Sequence, residues 1–443
     1  MKIAIVGGGI SGLATAFYIK RQNPQIEISI FEKEEKLGGK MMTKDVDGFL
    51  FEEGSNGFLS NKPSTLELVK ESGCEELLMR SSDNARIRFI YKNMLCRLPE
   101  SPGAFLKTPL LSIFGKLRVA AEILIPAKKD NSDETLQDFG YRRVGKEMTD
   151  TFLDAMVAGI FASKPDKISV RSAFPAVVKL EQEYGGLFRG MLAKKKKEAG
   201  PGGVLMSFVG GVSTFIDKLA GSQDIQIFTG IKVETIEKNE IKYLLQINGE
   251  KKEFDKVILS TPAYNSANLI KGIDQELSNM LKDIEYSPIS VVGLGYNEMK
   301  HDLNGFGLLT TSSSKKEVLG VLWDSSIFSD RAPRGKKSLR VMIGGQRNPK
   351  LALTSDKELA KIALKGVEET MGVSDTPDVV YVKRWVKGIP NYRLGHLDRM
   401  DILFDRLKQH NGLYLSSNAY FGVGLNDCVA NSKKVAMQVL SEM

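Results

Sequence analysis

The stretch Lys2–Glu32, KIAIVGGGISGLATAFYIKRQNPQIEISIFE, restricts the chain to a narrow set of folds. Ile3 to Val6 is a short apolar run that reads as a buried strand. Gly7, Gly9 and Gly12 follow in the spacing G-x-G-x-x-G, and Leu13, Ala14, Phe17, Tyr18 and Ile19 continue at helical spacing. Asn23-Pro24 breaks the helix, and Ile26, Ile28 and Ile30 alternate as a second strand closed by Glu32. In such a pattern the first glycine turns the chain, the second lets backbone approach a pyrophosphate, and the third lets helix and strand pack closely. The helix N-terminus offers free N–H groups and a partial positive charge to phosphates. Glu32 lies 20 residues beyond Gly12, where an acid accepts hydrogen bonds from ribose hydroxyls. A hydrogen bond to a charged group contributes roughly 1.5–3 kcal/mol. Strand, glycines, helix, second strand and acid agree on a dinucleotide-binding α/β domain.

A length of 443 residues provides for two or three domains and a large core. With 42% hydrophobic and 26% charged residues the chain reads as an ordered globular protein. No run approaches the roughly 20 uninterrupted apolar residues that span a bilayer. Met1 leads straight into the first strand, which predicts no signal peptide. Cys74, Cys96 and Cys428 are scattered and odd in number, which predicts a reducing, cytoplasmic setting without a disulfide framework. His301, His396 and His410 are too few for a histidine-rich metal centre, so no metal is expected. The net charge of +8 suits anionic partners such as phosphates, carboxylated substrates or acidic lipid, and no nucleic-acid motif accompanies it.

Two further glycine-bearing segments follow: Leu37-Gly38-Gly39-Lys40, and Phe51-Glu52-Glu53-Gly54-Ser55-Asn56-Gly57. The glycine pair can bring backbone to a ligand, and Lys40 can meet a phosphate. Taken with GGGISGLATA and the terminal acid, LGGK and FEEGSNGF resemble the FAD-binding half of the monoamine oxidase-like flavoproteins. More narrowly, they resemble the protoporphyrinogen/coproporphyrinogen oxidases of haem synthesis. The resemblance implies FAD as cofactor, held by Gly7, Gly8, Gly9, Ile10, Ser11, Gly12, Glu32, Lys33, Gly39, Lys40, Gly54, Ser55, Asn56 and Gly57.

An amphipathic helix is expected over residues 62–80 and a strand over Arg86–Tyr91. In the family an arginine before the Phe-aliphatic-Tyr run faces a substrate propionate, which implies that role for Arg88; its planar fork suits a carboxylate. From Gly103 to Ala127, Leu110, Phe114, Leu117, Ala121 and Leu124 recur at helical spacing, with Ser112, Lys116, Arg118 and Glu122 on the other side. Between Arg86 and Lys129 nine Lys/Arg stand against two Asp/Glu. An apolar face with a cationic rim can lie on an anionic membrane, and the resemblance implies such monotopic contact here. Leu136–Phe161 reads as one helix, and Gly159 matches a glycine that lets the tetrapyrrole approach the backbone. Lys194–Lys197, flanked by Gly200, Gly202 and Gly203, reads as a solvated loop.

Ile231–Ile236 reads as a strand, and the superfamily implies an adenine-side contact at Val233. Residues 254–262 read as an apolar strand ending in a turn, and the resemblance implies that it ends near the cofactor. From Ile289 to about Pro390 long alternating strands predict an antiparallel sheet. GFGLL and LRVMIGG in this region resemble porphyrinogen oxidase segments, which implies a cavity lined by Phe306, Gly307, Leu309 and Met342. Trp385 is implied to lie near the flavin, and His396 is expected to be a structural hydrogen-bonding residue. At the C-terminus the strand Gly412–Leu415, the turn SSNAYFGVGLNDC and a final helix form a second anion-friendly pocket. There the resemblance implies backbone N–H groups of Val423, Gly424 and Leu425 at the flavin. Asp427 and Cys428 are expected to serve in capping and burial.

The expected fold class is α/β, α+β overall. A Rossmann-like FAD-binding domain would be assembled from residues 1–85, 208–285 and 400–443. An antiparallel-sheet substrate domain would comprise 86–97 and 286–399, and a helical membrane-associated insertion 98–207. The implied reaction removes six electrons from a porphyrinogen, two at a time, as hydride from a meso carbon to flavin, which oxygen or another acceptor then reoxidises. No catalytic acid or base is expected, because the cofactor carries the chemistry. A ferrochelatase-type pathway partner is implied. Two other readings are an oxidase of amines or polyenes in the same superfamily, and a non-enzymatic carrier; the intact Gly7, Gly9, Gly12 and Glu32 argue against the carrier.

Overall fold

The computed structural model describes residues 1–197 and 203–443. A five-stranded parallel sheet runs in the order Gln226–Phe228, Glu27–Phe31, Lys2–Val6, Lys256–Leu259, Leu413–Leu415. Alternate residues of its strands enter different cores. Ile3, Ile5, Ile28 and Ile30 pack with residues of the helices Ile10–Gln22, Val212–Gly221 and Leu425–Ser441. Ala4, Val6, Val257 and Leu259 pack with residues of Ala263–Ile270 and Gln275–Lys282. Cover on both faces explains the uninterrupted apolar runs Ile3–Val6 and Val257–Leu259. The order also makes neighbours of strands from the start, middle and end of the chain.

A seven-stranded sheet runs Val379–Pro390, Tyr286–Tyr296, Lys337–Gly344, Val318–Leu322, Gly307–Thr310, Arg88–Tyr91, Leu95–Arg97. It is antiparallel as expected, except that Gly307–Thr310 pairs in parallel with Arg88–Tyr91. Val292, Leu308, Val321 and Val341 point to the helix Asp356–Met371 and form the core of one face. The other face meets the hairpin strand Phe49–Glu52. There a Cβ on Gly293 would lie 2.4 Å from the Phe51 ring and one on Gly295 2.9 Å from the Phe49 ring, so the two glycines let the hairpin lie flat on the sheet.

Several expected elements are shorter in the structure. The helix expected over 62–80 covers Pro63–Glu71 only, ending before Gly73 at φ +67°, and Leu78–Arg80 is a strand. The strand expected from Arg86 begins at Arg88, because Asp83–Arg86 closes a 3-10 turn. Gly103–Ala127 divides into helices Pro102–Lys107 and Ile113–Ala120, with Thr108-Pro109 between them, where proline disfavours helix in the preceding residue. Leu136–Phe161 is broken at Gly145, φ +88°, and resumes through a π-helical turn, Thr149–Leu153, into Asp154–Phe161. The lysine run belongs to the helix Leu187–Lys197 rather than to a loop; Gly200 and Gly202 lie outside the described residues.

Charged groups are buried where the hairpin strand Phe49–Glu52 packs on the seven-stranded sheet. Arg340, 2% exposed, sits 3.1 Å from Asp324 and donates to the Glu52 carbonyl at 2.7 Å. The Glu52 carboxylate lies 2.9 Å from the Arg331 guanidinium and accepts from the Thr43 hydroxyl at 2.7 Å. Burial pushes the carboxyls of Asp324 and Glu52 up, and the arginines oppose that shift. Removing one partner of such a pair leaves an uncompensated buried charge. Arg340→Met is therefore expected to lower stability in denaturant melts by about 3–5 kcal/mol, and Arg340→Met/Asp324→Leu to recover most of that loss. A single variant as stable as the parent would contradict this.

Candidate active site

The glycine turn follows strand Lys2–Val6 directly. Gly7 has φ +110°, and a Cβ there would lie 2.8 Å from the Ser260 carbonyl, at the end of the neighbouring strand. A Cβ on Gly12 would lie 2.1 Å from the Gly7 carbonyl, so the helix starts directly above the strand end. The crevice opens beyond the carboxyl ends of strands Lys2–Val6 and Lys256–Leu259, where open parallel sheets bind ligands. Glu32 is buried and accepts from the N–H groups of Gly8 at 2.8 Å and Glu34 at 3.0 Å. Its carboxylate thus stiffens the glycine turn, with lone pairs left for a ribose. Val233, at 5% exposure, follows shortly after Ile231, whose N–H donates to the Glu32 carbonyl. Lys33 points outward and pairs with Glu34 at 2.9 Å.

The other two segments pack onto this turn. Gly38 donates to the Gly8 carbonyl at 2.9 Å, and Gly39 at φ +60° lies beside Gly9. Gly54 has no room for a side chain, since its Cβ would lie 2.3 Å from the Lys40 carbonyl. Lys40 donates to the carbonyls of Gly388 and Lys387 and has no carboxylate partner among the described residues. Burial of its ammonium pushes its pKa down to about 8. Ser55 closes a local turn on the Gly57 carbonyl at 3.3 Å. Both amide atoms of Asn56 are buried without a partner. Among the described residues the N–H groups of Gly54, Ser55 and Asn56 make no hydrogen bond. Buried polar atoms without partners are rare, and among the described residues the Asn56 side-chain amide is such a case, which fits a ligand that supplies polar atoms, such as a flavin.

The C-terminal turn lies beside the first. Ser432 donates to the Ser11 carbonyl at 3.0 Å, and the hydroxyls of Thr15 and Ser416 are 3.4 Å apart, so two helix N-termini share one crevice. Gly424 caps the final helix, and its N–H is taken by Asp427 at 3.3 Å. Of the three N–H groups expected to face the cofactor, those of Val423 and Leu425 have no partner among the described residues. Asp427 caps the helix, and burial pushes the thiol of Cys428 up to about 12. Ile10 and Ser11 begin the first helix in burial, as the fingerprint requires. His396 bonds the Tyr420 carbonyl at 2.9 Å through Nε2 and stacks on Tyr392 with ring centroids 4.2 Å apart. Burial pushes it down to about 4, so it is a neutral structural donor at physiological pH.

One face of the seven-stranded sheet carries most of the remaining candidates. Paired residues on neighbouring strands point to the same side. Arg88, Gly307, Leu322, Arg340, Gly293 and Tyr381 form one such row. Ile90, Leu309, Gly320, Met342, Val291 and Lys383 form the next. The helix Asp154–Phe161 lies on this face: a Cβ on Gly159 would meet Leu309 at 2.9 Å. Met342 and Trp385 pack together with Ala158 and Ala162 of the same region. Arg88 stands apart at the other end. It is exposed, with its guanidinium 5.1 Å from the Phe306 ring and no acidic partner within reach among the described residues. Phe306 otherwise packs away from Met342, against Ala85, Ile327 and Phe328.

The sequence reading passed over Glu53. It is 4% exposed; its carboxylate meets Lys383 at 2.6 Å and the Tyr381 hydroxyl, and its carbonyl accepts from the Trp385 indole at 2.7 Å. The alternation of Tyr381, Lys383 and Trp385 was the available signal, since alternate residues of a strand share a side. Among the described residues no cluster of three or more His, Cys, Asp and Glu could hold a metal ion.

Comparison with known proteins gives a consistent picture. Residues 10–440 match the flavin-containing amine oxidoreductase family. The chain is 29% identical to a coproporphyrinogen III oxidase of Bacillus subtilis (strain 168), over 99% of this chain and 98% of that one. It is 26% identical to a chloroplastic protoporphyrinogen oxidase of Nicotiana tabacum, over 98% of this chain and 84% of the relative. A crystal structure from Exiguobacterium sp. 255-15, provisionally named a protoporphyrinogen oxidase, is 27% identical and superposes with a TM-score of 0.88, covering 100% of this chain and 99% of that one.

Lys40 generates a pH prediction. Its pKa of about 8 means that the free site loses the ammonium proton as pH rises through 8. A bound pyrophosphate favours the charged form, so dinucleotide affinity should be full below pH 7 and fall about tenfold or more by pH 10, for a charge-assisted bond of roughly 1.5–3 kcal/mol. Lys40→Met should bind about tenfold more weakly at pH 7 and lose most of the pH dependence. Titration of the apoprotein with FAD across this range checks it, and parallel profiles for the two proteins would exclude Lys40.

Proposed function

The chain belongs to the flavin-containing amine oxidoreductase family, and we propose that it binds FAD and oxidises a porphyrinogen, coproporphyrinogen III or protoporphyrinogen IX, to the porphyrin in haem synthesis. The observation that carries this reading is the single sheet face with Trp385 at one edge and an unpaired Arg88 towards the other. The two strands are five spacings apart, about 24 Å at roughly 4.8 Å each. That span suits a macrocycle lying on the face with a propionate arm at Arg88. The chain-long similarity to a coproporphyrinogen III oxidase and a protoporphyrinogen oxidase supports the same substrate class.

Bound FAD would supply the redox chemistry: three rounds of two-electron hydride acceptance from meso carbons, six electrons in all, with oxygen or another acceptor as the final oxidant. The protein's part is binding and orientation. Arg88 holds a carboxylate of the substrate with its guanidinium fork. Gly159, Gly307, Leu309 and Met342, with Phe306 beneath Arg88, form apolar walls that exclude water from the ring. Val423 and Leu425 direct N–H groups and a helix N-terminus at developing negative charge. Gly54, Ser55 and Asn56 present further donors beside the crevice. Leu309, Met342 and Trp385 bring no acid or base to the ring, which agrees with chemistry supplied by the cofactor.

A membrane contact is also proposed, supported by a helix that turns its large apolar side chains outward. Ile113–Ala120 and the turn after it bury Gly115, Val119 and Glu122, while Ile113, Phe114, Leu117 and Leu124 stand 62–83% exposed. Glu122 is fully buried against Arg143 and the N–H groups of Leu187 and Phe188. Exposed large apolar residues beside Lys107 and Lys116 suit the surface of an anionic bilayer. No described helix is long and apolar enough to cross one. The protein would sit peripherally on the cytoplasmic side and pass its porphyrin to a ferrochelatase-type partner.

Purified protein offered each porphyrinogen should develop porphyrin fluorescence, with FAD in stoichiometric amount; fluorescence no faster than autoxidation would overturn the reading. Arg88→Ala should raise KM about tenfold and change kcat by less than about threefold, because it removes ground-state binding. An unchanged KM would remove Arg88 from the site. Phe114→Asp/Leu117→Asp should abolish sedimentation with phosphatidylglycerol-containing vesicles while leaving turnover in detergent intact; sedimentation like that of the parent would exclude this face.

A further inference from the structure

Glu53 is held through its backbone N–H, its carbonyl and its carboxylate. Its N–H donates to the Met42 carbonyl at 2.8 Å, and its carbonyl accepts from the Trp385 indole at 2.7 Å. Its carboxylate lies 2.6 Å from Lys383 and accepts from Tyr381. The three residues that hold it are successive same-side residues of the edge strand Val379–Pro390. Lys383 is itself set against the Trp385 ring, 4.6 Å from its centroid. The next residues, Gly54 to Asn56, carry the unpartnered N–H groups and the buried, unpartnered amide of Asn56. A strand of the large sheet therefore grips the one residue from which the ligand-facing turn departs. An ordinary core contact would need neither a buried carboxylate nor three polar partners, since burying charge is costly unless it is paired.

We propose that Lys383, with Tyr381 and Trp385, is a positioning residue: through Glu53 it sets the direction of the Gly54–Asn56 donors towards the bound flavin and substrate. This rests on the flavin reading above. The sheet face that carries the substrate and the turn that carries the donors are then one mechanical unit, so the ring cannot shift on the sheet without moving relative to the donors. Misplacement of a positioned group by about 1 Å costs on the order of 100-fold in rate.

The test uses the flavin-loaded enzyme, with kcat expressed per bound flavin. Lys383→Met is expected to lower kcat by about 10–100-fold with KM nearly unchanged. It leaves the buried Glu53 carboxylate without its cation. Lys383→Met/Glu53→Gln removes that stranded charge and should recover at least part of the lost kcat. Lys383→Arg should stay within about threefold of the parent. Tyr381→Phe, which removes one hydroxyl, should shift the visible spectrum of the bound flavin in the same direction as Lys383→Met, and it serves if the latter does not fold. A Lys383→Met enzyme with the parent's kcat, or a Tyr381→Phe enzyme with an unshifted spectrum where Lys383→Met does not fold, would overturn the proposal and leave the flavin reading intact. Failure of the parent itself to bind FAD would instead defeat that reading.

Discussion

The close approach of two backbones at Gly7 and Gly12 is the constraint on which the rest of the molecule depends. With 2.1 Å between a hypothetical Gly12 Cβ and the Gly7 carbonyl, the first helix can start directly over the end of the first strand. Its N-terminus then faces the crevice at the carboxyl edge of the parallel sheet. The sheet order brings Lys256–Leu259 and Leu413–Leu415 alongside, so the final helix starts in the same crevice. Ser432 on the Ser11 carbonyl and Thr15 beside Ser416 tie the two helices together. Two dipole ends separated by most of the chain act on one place, where a single anionic ligand can use both.

Buried charge joins this half of the molecule to the other. Glu52 and Glu53 are consecutive, yet they turn to different partners: Glu52 to Arg331, and Glu53 to Lys383 and Tyr381. Arg340 adds a third link through the Glu52 carbonyl. Each of these contacts ties the segment leading to Gly54 to the large sheet or to the loop beside it. Such pairs add little net stability but hold geometry, because breaking one leaves a charge with no solvent to receive it. That fits a site whose parts come from separate stretches of chain and must keep register.

Much of this was legible in the sequence where local chemistry dictates structure. The glycine fingerprint, the alternating strands after Ile289 and the C-terminal strand–turn–helix all formed as read, because each depends on residues close in the chain. His396 as a structural donor and Asp427 as a cap were legible for the same reason. Helix lengths were not, since Gly145, Gly73 and Thr108-Pro109 interrupt patterns whose apolar spacing continues through them. The orientation of Ile113–Ala120 was also hidden. Its large apolar residues were visible, but only the burial of Gly115 and Val119, and of Glu122 against Arg143 21 residues later, shows that those residues are turned outward. Glu53 was passed over because its partners lie more than 300 residues away. The fingerprint acid Glu32 stands at the glycine turn, and its bonds to Gly8 and Glu34 give it a scaffolding part that spacing does not reveal.

The central claim is that two turns at opposite ends of the chain close around one cofactor. Amide hydrogen exchange of the apoprotein with and without FAD tests it most directly, because protection reports local opening segment by segment. The account predicts that one equivalent of FAD slows exchange together at residues 7–13, 38–40, 54–57 and 422–428, with one shared dependence on concentration. Protection confined to the first turn, with the C-terminal turn exchanging as in the apoprotein, would contradict it.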